Sequence, residues 1–160
     1  MIAVRDGTRL RAGRAMLYGT LVVGTLDALD AIVFFGLRSG ATPSRVFRSI
    51  AAGWFGRAAG SGGLGTVAIG AATHYFVAFG IVATYFACSR RLRVMTRHPI
   101  PCGIAYGLLV YVFMNHLVIP LSAIGPTPWP ALPVLANGLL IHAFGIGIPS
   151  ALFAALSSDS

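Results

Sequence analysis

Five ionisable side chains stand inside long apolar runs of this sequence: Asp27, Asp30, His74, His116 and His142. An ionisable group in hydrocarbon is costly unless it is paired or faces water. Asp27 and Asp30 are three residues apart, so they share one face of a helix. Two carboxylates on one face concentrate negative charge and draw a proton or a cation. Histidine exchanges protons near neutral pH and also ligates transition metals. Asn115 and Asn137 add neutral polar groups to the same runs.

Three chemistries fit this set. The first is polar bonding across helices that only holds a bundle together. The second is a layer that binds or relays a proton or a cation. The third is a haem b or transition-metal site with His74, His142 and His116 as ligands, in which His74 and His142 would form a bis-histidine pair. The sequence has no i, i+3 or i, i+4 chelating pair of the kind that builds bundle metal sites. It also has no Walker loop, nucleophile elbow or Cys/His catalytic constellation, so the expected role is non-enzymatic. Cys88, His98 and Cys102 bracket a basic loop with a spacing that fits no common zinc pattern.

The elements that position these residues follow from composition. The length of 160 residues allows one domain. Charged residues make up 10% of the chain, against about 25% in a soluble domain. Hydrophobic residues make up 56%, and mean hydropathy is +0.80. This is the balance of an integral membrane protein. Four apolar runs, 15–37, 64–88, 100–123 and 132–155, each have the length of a transmembrane helix. The fold expected is an all-α four-transmembrane-helix bundle, one integral domain over residues 1–160.

The net charge of +8 comes from 12 arginines, with no lysine. These arginines flank the apolar runs, which argues for membrane orientation and against nucleic-acid binding. Arg5, Arg9, Arg11 and Arg14 precede the first run, and Arg90, Arg91, Arg93 and Arg97 fill the loop after the second. Arg38, Arg45, Arg48 and Arg57 lie on the opposite side, so eight against four places both termini in the cytoplasm.

Between the first two runs, Thr42-Pro43 reads as the cap and first residue of a helix over 43–58. Phe47, Ile50, Ala51 and Trp54 fall on one face of it, with Arg45 and Arg48 on the other. That pattern predicts an amphipathic helix in the membrane interface, covering the bundle mouth. Arg57 falls nearer the apolar face, where it can turn inward toward the aspartates or contact an anionic headgroup.

The two halves of the chain match. Tyr18-Gly19 aligns with Tyr106-Gly107, which puts Asp27 on Asn115, and Gly70-x-x-x-His74-x-Phe76 aligns with Gly138-x-x-x-His142-x-Phe144. The match predicts two parallel helical hairpins about an axis along the membrane normal. Counted along the helices, the five ionisable groups fall in one layer of the outer half of the bilayer.

His74, the run His116-x-x-x-Pro120-Leu121, Gly125 with Thr127-Pro128, and His142 together resemble the YagU-like bacterial inner-membrane proteins. The resemblance lies mainly in the C-terminal half. It implies a bacterial inner-membrane location and assigns no catalytic residue. The expected partners are the lipid bilayer and a second copy or a larger membrane complex that this chain would serve as an accessory subunit.

Overall fold

A computed structural model describes residues 11–157. Arg5 and Arg9, which count toward the orientation, lie outside the described residues, as do Asp6 and Asp159. The described chain forms five main helices and no strand: α1 (Ala12–Ser39), α2 (Pro43–Phe55), α3 (Leu64–Arg91), α4 (Pro99–Leu121) and α5 (Leu132–Leu156). A single turn, Val94–Arg97, sits between α3 and α4.

Four of these helices, α1, α3, α4 and α5, are long and apolar enough to cross a membrane, at 23 to 28 residues each. At 1.5 Å per residue, the shortest spans about 35 Å, more than the hydrocarbon core of a bilayer. Their outward faces carry Leu29, Val33, Phe76, Leu109, Phe113 and Phe144, all exposed. An apolar belt of that extent belongs in lipid. The chain is therefore an integral membrane protein built as a four-helix bundle.

The helix boundaries have local causes. α1 ends two residues beyond its expected limit of 37, at Ser39. Gly40 takes the left-handed conformation (φ 64°) and its N–H returns to the Gly36 carbonyl at 2.9 Å. The Thr42 hydroxyl accepts the Arg45 N–H at 3.3 Å, and Pro43 occupies the first turn of α2. α2 stops at Phe55, short of the expected 58, because Gly56 enters with φ 57° and a tighter 3-10 segment runs from Gly56 to Ser61.

α2 turns its apolar face toward the bundle and packs most extensively on α3. Val46 and Ala51 are buried there. The Phe47 carbonyl sits so close to Gly70 that a Cβ at Gly70 would strike it. Trp54 stays exposed, but its indole N–H donates to the Thr73 hydroxyl at 2.9 Å. The Ala123 N–H donates to the Gly53 carbonyl at 3.0 Å, which ties the end of α2 to the chain leaving α4.

α5 is the hub of the bundle, packing on α1, α3 and α4, and it is the most buried of the four spans. It meets α4 backbone to backbone. A Cβ on Gly107 would collide with the His142 carbonyl, and one on Gly103 would lie 2.8 Å from the Gly147 carbonyl. Small residues permit this close crossing. Two stretches are π-helical, Met114–Val118 in α4 and Ile141–Gly147 in α5. Each precedes a proline by two residues, Pro120 and Pro149. Proline lacks an N–H and clashes with the carbonyl four residues back, and a wider turn relieves both within a membrane helix.

At the end of the bundle that carries both described chain ends, the interior is filled. Val23, Val82, Tyr85, Ile146 and Ala151 pack together with almost no exposure. The Tyr85 hydroxyl donates to the Met95 carbonyl at 3.1 Å and the Tyr106 hydroxyl to the Ile81 carbonyl at 2.6 Å. The α4–α5 crossing generates a stability prediction. Gly107→Leu should lower stability by about 2 kcal/mol or more, because the added side chain has no room. Gly80→Ala should cost nothing, since a Cβ at Gly80 meets no atom within 4 Å. Thermal unfolding of the two variants in detergent checks this.

Candidate functional site

The opposite end of the bundle, beneath α2, holds a cavity of about 560 Å³. All five helices line it. α1 contributes Asp27, Asp30 and Phe34; α2 contributes Arg45, Val46 and Ile50; and α3 contributes His74, Val77 and Ile81. α4 supplies Tyr111 and Asn115, and α5 supplies Asn137, Ile141 and His142. The polar groups therefore collect from four spans that are far apart in sequence. Most of the remaining wall is hydrocarbon.

His74 is buried and fixes α3 to α1. Its Nε2 lies 2.7 Å from the Gly24 carbonyl. A carbonyl only accepts, so Nε2 carries the proton. In the neutral ring Nδ1 is then bare, and it faces Asp27 Oδ2 at 3.9 Å. A proton on that side of the ring or on the carboxyl sits between the two. The ring is held in place by edge contacts with Phe47 (6.3 Å) and Tyr75 (5.4 Å). Gly24 has no Cβ, which would lie 2.7 Å from the Tyr75 ring.

Asp27 has no hydrogen-bond donor among the described residues, and its side chain is 30% exposed. Its carboxylate interacts electrostatically with His142, His74 and Asp30. Asp30 is better satisfied, because the Asn137 amide donates to its Oδ2 at 2.7 Å and joins α1 to α5. His142 Nδ1–H donates to the Gly138 carbonyl of its own helix at 2.9 Å, which leaves Nε2 bare in the neutral ring. The Tyr111 ring meets the His142 ring edge-on at 5.2 Å.

His116 does not join this group. It is exposed, its Nδ1 bonds the Val112 carbonyl at 3.2 Å, and its ring lies 5.9 Å from Trp129. Asn115, its neighbour, turns inward and lines the cavity, with its amide donating to the Tyr111 carbonyl at 2.9 Å. In the register that aligns the two halves, Val112 corresponds to Gly24. The carbonyl that His74 takes in one half is thus taken by His116 in the other, and the aligned His142 bonds its own helix instead.

The three histidines expected as haem or metal ligands do not converge on one site. An axial or metal ligand must offer a nitrogen lone pair. His74 and His142 each keep one bare ring nitrogen in the neutral form, but His116 lies outside the cavity that the other two line. Among the described residues, no three of His, Cys, Asp and Glu form a group able to hold a metal ion. Cys88 is exposed, and Cys102 lies with its Sγ 3.7 Å from the Val94 carbonyl.

The cation that reaches the cavity is Arg45, not Arg57. Arg57 is exposed in the 3-10 segment after α2 and is absent from the cavity wall. A helical wheel puts Arg45 and Arg48 on one polar face and cannot separate them. Contacts do: the Arg48 guanidinium is tied to Ser44 and the Gly60 carbonyl at 3.0 to 3.3 Å, while Arg45 stands at the cavity mouth.

In comparisons with protein-family models, curated proteins and solved structures, nothing matches this chain. Its function must be read from the site. The placement of the histidines gives a direct expectation. His74→Leu should lose about 1–2 kcal/mol of stability with the α1–α3 hydrogen bond, whereas His116→Leu should change it by less than about 0.5 kcal/mol. Denaturant or thermal titration in detergent measures both.

Proposed function

We propose that this membrane protein binds a proton or a cation at Asp27, in a cavity that opens at one end of the bundle. One observation carries the reading: Asp27 lies in the middle of a membrane-length helix, faces a cavity, and has no hydrogen-bond donor among the described residues. A carboxylate so placed gains most from a bound cation or from its own protonation. His74 Nδ1 at 3.9 Å and the electrostatic influence of His142 give a bound proton alternative resting places within the cavity.

The proposed location is a bacterial inner membrane with both termini cytoplasmic. The arginine distribution and the YagU-like resemblance support it. In that orientation the cavity opens to the non-cytoplasmic side, and the filled half blocks free passage. The protein then acts as a binding or relay element, alone or as a subunit of a larger membrane complex. A second reading, that these groups only hold the bundle together, draws on the His74–Gly24 and Asp30–Asn137 hydrogen bonds. In that reading Asp27 serves only as a partner of His74 across α1 and α3, at 3.9 Å.

Infrared spectroscopy of the protonated-carboxyl band, recorded while the buffer is acidified, separates the two readings. A titrating band should be present in the wild type, diminish in Asp27→Asn, and respond to added sodium or methylammonium. If Asp27→Asn leaves every carboxyl band unchanged and alters stability alone, the proposed role is wrong.

A further inference from the structure

The cavity is too large and too apolar for a bare ion. Its volume of about 560 Å³ lies in the range of small-molecule sites. It runs along α1 from Asp27 to Ser39, a rise of about 18 Å. Phe34, Val77 and Ile141 line the stretch between, and such walls favour a hydrocarbon body over water.

The charges are sorted along this length. The floor carries Asp27, which lacks a donor, and Asp30, which has one donor on Oδ2. The mouth carries Arg45 on α2. No hydrogen bond ties its guanidinium to any described residue, in contrast to the fully engaged Arg48. A free guanidinium presents a fork of donors suited to an oxyanion. A simple ammonium compound would satisfy the floor and meet repulsion at the mouth.

Resting on the proposed role of Asp27, we infer that the cavity binds a small zwitterion, with its ammonium at Asp27 and Asp30, an apolar chain along Phe34 and Val77, and its carboxylate or other oxyanion at Arg45. The two charges must be separated by several carbons. This disfavours α-amino acids, whose two charged groups flank a single carbon.

The test is calorimetric titration of the full chain in detergent with ε-aminocaproate, and with its singly charged relatives n-hexylammonium and caproate. The zwitterion should bind roughly tenfold more tightly than n-hexylammonium, the gain of one charge-assisted contact, and caproate should not bind. Arg45→Gln should erase the advantage of the zwitterion while n-hexylammonium still binds, as tightly as before or more so. Arg45 is exposed at the mouth, so this variant should fold, and an unchanged melting temperature confirms that it does. Asp27→Asn combined with Asp30→Asn should remove binding of both ammonium compounds. If n-hexylammonium binds as well as ε-aminocaproate and Arg45→Gln changes neither, the zwitterion is overturned while cation binding stands. If neither compound binds but the carboxyl band still titrates through Asp27, the zwitterion is again overturned and the site is one for protons or inorganic cations. If the band is silent too, both readings fall.

Discussion

Hydrocarbon offers no hydrogen bonds, so every polar group that the four spans carry at mid-depth must find its partner inside the bundle. The helices are arranged around that need. His74 reaches the Gly24 carbonyl and so sets the distance between α1 and α3. Asn137 reaches Asp30 and does the same for α1 and α5. His142 and Asn115, which have no such reach, fold back on carbonyls of their own helices. Asp27 is the exception, and the cavity lies where it is. The polar residues therefore do two kinds of work: most hold a backbone or side-chain partner, and Asp27 is left facing a cavity that another molecule can fill.

Close approach and open space are produced by neighbouring stretches of the same helices. α4 and α5 touch through Gly103, Gly107 and Gly147, with backbone against backbone. The π-helical segment of α5 lies within this crossing and carries His142 on the cavity wall, while that of α4 lies beyond it toward α2 and supplies Asn115. A π turn fits one more residue into each turn than an α-helix needs, and it rotates the side chains that follow. Pro120 and Pro149 make the widening necessary and the neighbouring helices make it tolerable. Residues that break a soluble helix here shape a site.

The filled and hollow halves also divide the electrostatics. Tyr85 and Tyr106 keep their hydroxyls on backbone carbonyls, and the last turn of α3 carries Arg90 and Arg91 at that packed end, where Arg90 donates to the Ser157 carbonyl at 3.0 Å. At the hollow end the acidic groups lie deep and Arg45 lies at the rim. The separation of charge is along the bundle axis, so it selects for the direction in which a bound molecule lies as well as for its charge.

Much of this was legible in the sequence. Apolar runs of membrane length set the number of spans, because hydropathy and length act residue by residue. Thr42-Pro43 set the start of α2 by capping chemistry that needs only local chain. Asp27, Asp30, His74 and His142 stood out because ionisable groups in such runs are costly wherever they point. Their division of labour depended on packing. Nothing in the order of residues says that His116 faces out beside Trp129 while Asn115, next to it, faces in. Nor does it say that Arg45, one turn from Arg48 on the same face, takes the cavity mouth. The sequence determined which groups must be satisfied. Only the tertiary structure decided which partner satisfies each, because a hydrogen bond between helices depends on rotation and separation that residues distant in the chain fix together.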